Sequence, residues 1–155
     1  MKFYLAAPVV TEDPAVTLQV GQVHKKLIET FGKEAIYRPG EHKVPNAWGI
    51  TMDMWGQCVF TMDVLAIDDA DWIVLCNYGR KGATAGTAWE CGYAFAKQKR
   101  ILVIDMPGVE ESSLMVTGCA ANVVSYEQFN LATPTELKNT IFIERGKLAA
   151  KQTLN

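Results

Sequence analysis

No stretch of this chain approaches the ~20 consecutive apolar residues that a membrane-spanning helix requires. Nor does it show a signal-peptide pattern, so a cytoplasmic protein with no membrane partner is expected. The four cysteines at positions 58, 76, 91 and 119 form no Cys-x-x-Cys pair and have no histidine cluster beside them. Neither a zinc site nor a disulfide framework is indicated, and buried free thiols in a reducing compartment are the expected state. Also missing are a Gly-x-Gly-x-x-Gly turn after the first strand and a Walker lysine motif, which disfavours a dinucleotide or triphosphate site. Charge of one sign is not in excess: 15 Lys and Arg against 17 Asp and Glu give a formal net charge of -2. A surface of that kind does not suit nucleic acid or an anionic membrane as the main partner. Small neutral ligands are the default, with no cofactor and no metal implied.

What the chain does have is enough apolar material, 49% of 155 residues, for one globular domain spanning 1–155 with a full core. Strands and helices alternate. Phe3 to Ala7 reads as a first strand, and Asp13-Pro14 supplies an N-cap and a proline at the first helical position. Val16, Val20, Val23, Leu27 and Phe31 mark one helical face as far as Gly32. A short strand at Ala35–Tyr37 is followed by a long polar loop from Arg38 to about Asp53, a length often functional in compact domains. The pattern predicts a helix over 54–70, a strand over 72–76, a Gly-rich loop to Ala85, a helix over 87–98 and a strand over 101–105. A helical turn near Ser112–Thr117, a strand at Asn122–Val124 and a terminal helix from Thr133-Pro134 complete the order. Such alternation implies a parallel sheet covered on both faces, a five-stranded flavodoxin-like α/β fold.

The segment Gly86-Thr87-Ala88-Trp89-Glu90-Cys91-Gly92-Tyr93-Ala94 places one carboxylate among small and apolar residues just after a strand and a loop. Glu90 is expected in a first helical turn at the C-terminal edge of the sheet, where open α/β folds bind ligands and a helix N-terminus favours an anion. Such a carboxylate is a potential nucleophile. Thr87 and Glu90 also fit a Thr-x-x-Glu capping box, which is the commoner use of that spacing. Gly86 permits close backbone approach, and Trp89 and Tyr93 offer flat surfaces for a planar ring. Asp63 shares a helical stripe with Val59, Ala66, Ile67 and Ala70, so a carboxylate interrupts an inward-facing row. Burial there raises its pKa and makes it a candidate proton donor; the alternative is a solvated residue at the stripe's edge. Trp48 and Trp55 fit either a base pocket or the core, His24 is expected to be structural or exposed, and Cys91 a packing residue. His42 in the long loop is a weaker candidate for ligand contact.

The Gly86–Ala94 motif resembles the nucleophile motif of the nucleoside 2-deoxyribosyltransferases, and Lys2-Phe3-Tyr4-Leu5-Ala6-Ala7-Pro8 resembles that family's opening strand and loop. Asp63 falls where the family carries an aspartate on its second helix, and Ser113-Leu114-Met115 where it has an Asn-Leu-Met-like segment. The resemblance covers roughly residues 2–125. It implies transfer of 2-deoxyribose from a 2'-deoxynucleoside to a free nucleobase by retaining chemistry, with a covalent glycosyl-enzyme on Glu90. Tyr4 would orient Glu90, and Asp63 would bind and protonate the base. Ala6, Gly86, Trp89 and Trp55 would lie around the substrate, and Ser113 and Met115 would approach the sugar. A homo-oligomer with shared active sites is implied as well.

The chain departs from the family at Thr84, where an aspartate is common, and at Ser113, where the family has asparagine. Base recognition through Thr84 is therefore expected to differ, since threonine carries no charge. Two other functions fit the same residues. One is a hydrolase of the same lineage that cleaves nucleoside 5'-monophosphates, with Arg80, Lys81, Ser112 and Ser113 as a phosphate nest. The other is a non-catalytic nucleotide-sensing module in which Glu90 is only a cap.

Overall fold

A computed structural model describes residues 1–9, 12–79 and 85–143 of the chain. Five strands, β1 (Phe3–Ala6), β2 (Ile36–Tyr37), β3 (Trp72–Asn77), β4 (Arg100–Asp105) and β5 (Asn122–Ser125), form one sheet in the order β2-β1-β3-β4-β5. Every neighbouring pair is parallel. This is the flavodoxin-like order, and the chain leaves β1 toward β2 on one side while β3 pairs on the other, which opens a crevice at the strand ends there. Helices α1 (Pro14–Phe31), α2 (Met52–Asp69), α3 (Ala85–Ala96), α4 (Leu114–Gly118), α5 (Tyr126–Leu131) and α6 (Pro134–Glu136) fill the connections.

Strand side chains alternate between two cores, as the period of two demands. Phe3 and Leu5 of β1, Trp72 and Val74 of β3, and Leu102 and Ile104 of β4 pack with Val20, Val23 and Leu27 of α1. Tyr4 and Ala6, Ile73 and Leu75, and Ile101 and Val103 face the opposite way, against Ile67 of α2 and Cys91 and Ala94 of α3. The terminal segment closes the first core: α6 runs into a wider helical turn at Leu137–Ile141, and Phe142 then meets Phe3, Phe31 and Trp72 edge-on at centroid distances of 5.0, 5.4 and 5.2 Å.

The expected cap of α1 is in place. Asp13 accepts from the Ala15 amide at 2.8 Å with Pro14 at the first helical position, and α1 stops at Gly32, whose φ of 90° suits glycine. Helix α2 begins two residues before the expected Met54, because Thr51 accepts from the Met54 amide and serves as the N-cap. Helix α3 differs more. It already includes Ala85, so Glu90 lies in the second turn rather than the first, and Thr87 is buried inside the helix instead of capping it. The capping-box reading of Thr87 and Glu90 therefore fails. The helix also ends at Ala96, short of the expected Gln98. Gln98 takes φ 58° while its amide and that of Lys99 donate back to Phe95 and Ala94, a Schellman-type stop. Glutamine is strained in that left-handed position. Gln98→Gly is expected to raise the unfolding free energy by up to about 1 kcal/mol, read by urea denaturation.

Candidate active site

Tyr4 and Tyr37 are direct partners across β1 and β2, and their rings stack at 5.5 Å with planes 14° apart. Each hydroxyl reaches one carboxylate. Tyr4 Oη donates to Glu90 Oε1 at 2.8 Å, and Tyr37 Oη donates to Asp63 Oδ1 at 3.0 Å. The sheet register thus sets two acidic side chains from two different helices beside one another. Asp63 sits half-buried on the stripe that the sequence periodicity indicates, with Ile67 and Ala70 buried below it.

Burial is the main influence on both carboxyls, because an ion loses its hydration there. Glu90 is pushed up to about 7: burial and the neighbouring Asp63 charge raise it, and the Tyr4 hydrogen bond opposes them. Asp63 is also raised by burial, against the Tyr37 hydrogen bond and the nearby His42, which favour its ionised form. Tyr4 is held far above the usual phenol range, first by burial and then by the Glu90 charge, so it remains a donor. The arrangement sets side by side two carboxyl groups whose pKa values are both raised, the kind of pair from which a nucleophile and a proton donor can be drawn.

His42 and Tyr37 are the residues sequence reasoning undervalued. The His42 imidazole stacks on Tyr37 at 4.3 Å, 5° from parallel. Its loop is tied down by Glu41, whose Oε1 lies 3.4 Å from the buried His24 Nδ1 and accepts from Arg38 at 3.5 Å. His24 is therefore structural. Gly40 has φ 83°, and a Cβ there would come within 2.7 Å of Val9 Cγ1, so only glycine lets the loop pass. The signal for Tyr37 was its place beside Tyr4 in the sheet, which no local pattern reveals.

The other candidates surround this pair at varying depth. Trp89 stacks on Tyr93 at 5.2 Å and touches Phe60 of α2, while Tyr93 Oη donates to Asp68. These rings belong to the seam between α2 and α3. Trp55 is about two-fifths exposed at the start of α2, and Trp48 is fully exposed, so neither is a core residue. Ala6 is buried at the C-terminal end of β1, and Gly86 lies exposed in the first turn of α3. Ser113 occupies the N-cap position of α4, and Met115 is 83% exposed. Thr84 and the pair Arg80 and Lys81 lie outside the described residues. Cys91 packs as expected but has a partner the sequence did not suggest, the Cys119 thiol at 3.3 Å.

At the ends of β3 and β4, Asn77 Nδ2 donates to Asp105 Oδ1 at 2.6 Å and to Ser112 Oγ at 2.7 Å, while Ser112 also faces Asp105. Asn77 Oδ1 accepts from the Gly79 amide, so the network fixes the backbone just beyond the end of β3.

Solved structures share this architecture. A 2-deoxyribosyltransferase from the psychrotolerant bacterium Bacillus psychrosaccharolyticus superposes with a TM-score of 0.71 at 24% identity, over 86% of this chain and 93% of that one. A conserved protein from Enterococcus faecalis V583 gives 0.66 at 18% identity, covering 83% and 94%. A CMP N-glycosidase from Clostridium botulinum gives 0.53 at 17%, covering 83% and 91%. At these identities the likeness is one of fold. A search of curated sequences returns no match. The sequence profile of the nucleoside 2-deoxyribosyltransferases matches residues 3–117, which include both tyrosines and both carboxylates, and the chain belongs to that family.

Proposed function

We propose that this protein transfers 2-deoxyribose between nucleobases through a glycosyl ester on Glu90. The observation that carries the reading is the Tyr4–Glu90 hydrogen bond at 2.8 Å, with Asp63 held alongside by Tyr37. Tyr4 occupies Oε1 and leaves Oε2 of Glu90 to attack the anomeric carbon as the base departs. Protonated Asp63 gives its proton to the base, and the bond to nitrogen breaks as the ester forms. A second base then attacks the same carbon, releases the Glu90 carboxylate and returns a proton to Asp63. Two displacements retain the anomeric configuration. No step calls for a cofactor.

Hydrolysis of a nucleoside 5'-monophosphate is the second reading, favoured by the likeness to the CMP N-glycosidase fold. Ser112 counts against a phosphate nest there, since its hydroxyl is engaged with Asn77 and Asp105 and the Asp105 carboxylate would repel a phosphate. Exchange of deoxyinosine with adenine, followed by chromatography, is expected to yield deoxyadenosine and hypoxanthine. Cleavage of a deoxynucleoside monophosphate without exchange would establish the hydrolase instead, and ligand binding with no turnover would leave a sensing module. The transferase reading also includes a homo-oligomer with shared sites. Leu114 and Met115, each 83% exposed on α4, support it as apolar surface for a second copy to cover. Sedimentation velocity checks the assembly.

A further inference from the structure

A carboxylic acid that delivers a proton must carry it on the oxygen facing the acceptor. Asp63 has two oxygens, and either could hold the proton if nothing distinguished them. Tyr37 distinguishes them: its hydroxyl lies 3.0 Å from Oδ1. The phenol has one hydrogen to donate, and burial together with the Asp63 charge raises its pKa well above the usual range, so it remains the donor.

We infer that Tyr37 is a positioning residue for Asp63, occupying Oδ1 so that the transferable proton resides on Oδ2. The inference rests on the transferase reading for its catalytic meaning, though the placement of the proton does not. Tyr37 suits the task because its ring is held by two stacking neighbours, Tyr4 at 5.5 Å and His42 at 4.3 Å. Tyr4 and Tyr37 then act as a matched pair on adjacent strands. Each blocks one oxygen of one carboxyl and leaves the other for chemistry, Glu90 Oε2 for carbon and Asp63 Oδ2 for the proton. The second strand is only two residues long, and Tyr37 is its last residue.

The titratable groups facing Asp63 are Tyr37 from β2, His42 from the loop that follows, Tyr4 from β1 and Glu90 from α3. Replacing Tyr37 by phenylalanine keeps the stack and removes only the donor. The Asp63 carboxylate then loses the hydrogen bond that favours ionisation, so its titration moves to higher pH.

The test uses full-length protein. In the Glu90→Gln background, carbon-detected NMR follows Asp63 as a single titrating carboxyl. Tyr37→Phe is expected to raise its midpoint, and an unchanged midpoint overturns the inference. In the otherwise native protein, Tyr37→Phe is expected to lower kcat by roughly ten- to a hundredfold, the worth of a hydrogen bond to the charge that develops on Asp63 as its proton leaves, and to move the pH profile alkaline. In an Asp63→Asn background the same change is expected to cost little, because its target is gone. Equal losses in both backgrounds would mean that Tyr37 acts elsewhere and would overturn the assignment. If the native protein breaks no N-glycosidic bond, the transferase reading fails while the NMR titration still decides whether the Tyr37 hydroxyl engages the Asp63 carboxyl.

Discussion

Glu90→Gln is expected to lose roughly 10⁴–10⁶-fold in base exchange, the scale seen when a covalent nucleophile is removed, and to be more stable than the parent at pH 8. Both effects have one cause. Glutamine is nearly isosteric, and its amide oxygen still accepts from Tyr4, so the surroundings persist while the nucleophile is gone. The stability gain follows from the carboxyl's titration. Its pKa is raised to about 7 in the folded protein from an ordinary value of 4.5. The folded state therefore binds the proton more tightly than the unfolded chain, and the associated stability is fully present below pH 4.5. It is lost as pH rises through about 7. Above that the buried anion costs on the order of 3 kcal/mol, which the neutral amide removes. Urea denaturation at pH 8 should show the variant ahead of the parent, and at pH 4 the two should nearly coincide. A variant less stable at both pH values would indicate a structural hydrogen-bonding role instead. Trapping offers an independent check: a slowly turned-over 2'-fluorinated nucleoside should leave a mass adduct on the peptide containing Glu90.

The same site shows what the chain's local patterns reveal and what they conceal. The fold was legible because each β/α unit carries its own punctuation: Asp13-Pro14 opens α1, Gly32 closes it, and Thr133-Pro134 opens α6. Buried strands such as Ile73-Val74-Leu75 need no long-range information to be recognised. Glu90 and Asp63 stood out because each interrupts an apolar helical face. Tyr37 did not, since a tyrosine ending a short strand looks like packing, and its role depends on a neighbour 33 positions earlier in the sequence through the register Tyr4 to Tyr37. Trp89 and Tyr93 show what periodicity leaves out. Aromatic rings beside a nucleophile suggest a base-stacking surface, yet these two face Phe60 and Asp68 across the α2–α3 seam. Which side of a helix faces a neighbouring helix depends on how the two cross, and periodicity carries no crossing angle.

Asp63→Asn carries the second large expectation, a loss of ~10²–10⁴-fold, the usual worth of general acid catalysis. The pH profile distinguishes that role from a mere binding contact. Asp63 and Glu90 are close enough that the charge on one raises the other, so they titrate as a pair. The reactive form holds one proton between them, with Asp63 neutral and Glu90 ionised, and the base nitrogen draws the proton to Asp63 by accepting its hydrogen bond. The native enzyme should therefore show a bell-shaped profile whose alkaline limb lies near the raised value of about 7. In Asp63→Asn only Glu90 remains to titrate. The alkaline limb should vanish, leaving a rate that rises with pH and then levels off at its lower ceiling. That rise should begin at a lower pH than about 7, since the Asp63 charge no longer raises Glu90. The loss should also be largest for bases that leave poorly unless protonated. Steady-state rates with two such bases across the pH range provide the measurement. A nearly silent Asp63→Asn with its bell intact would move the proton donor away from α2.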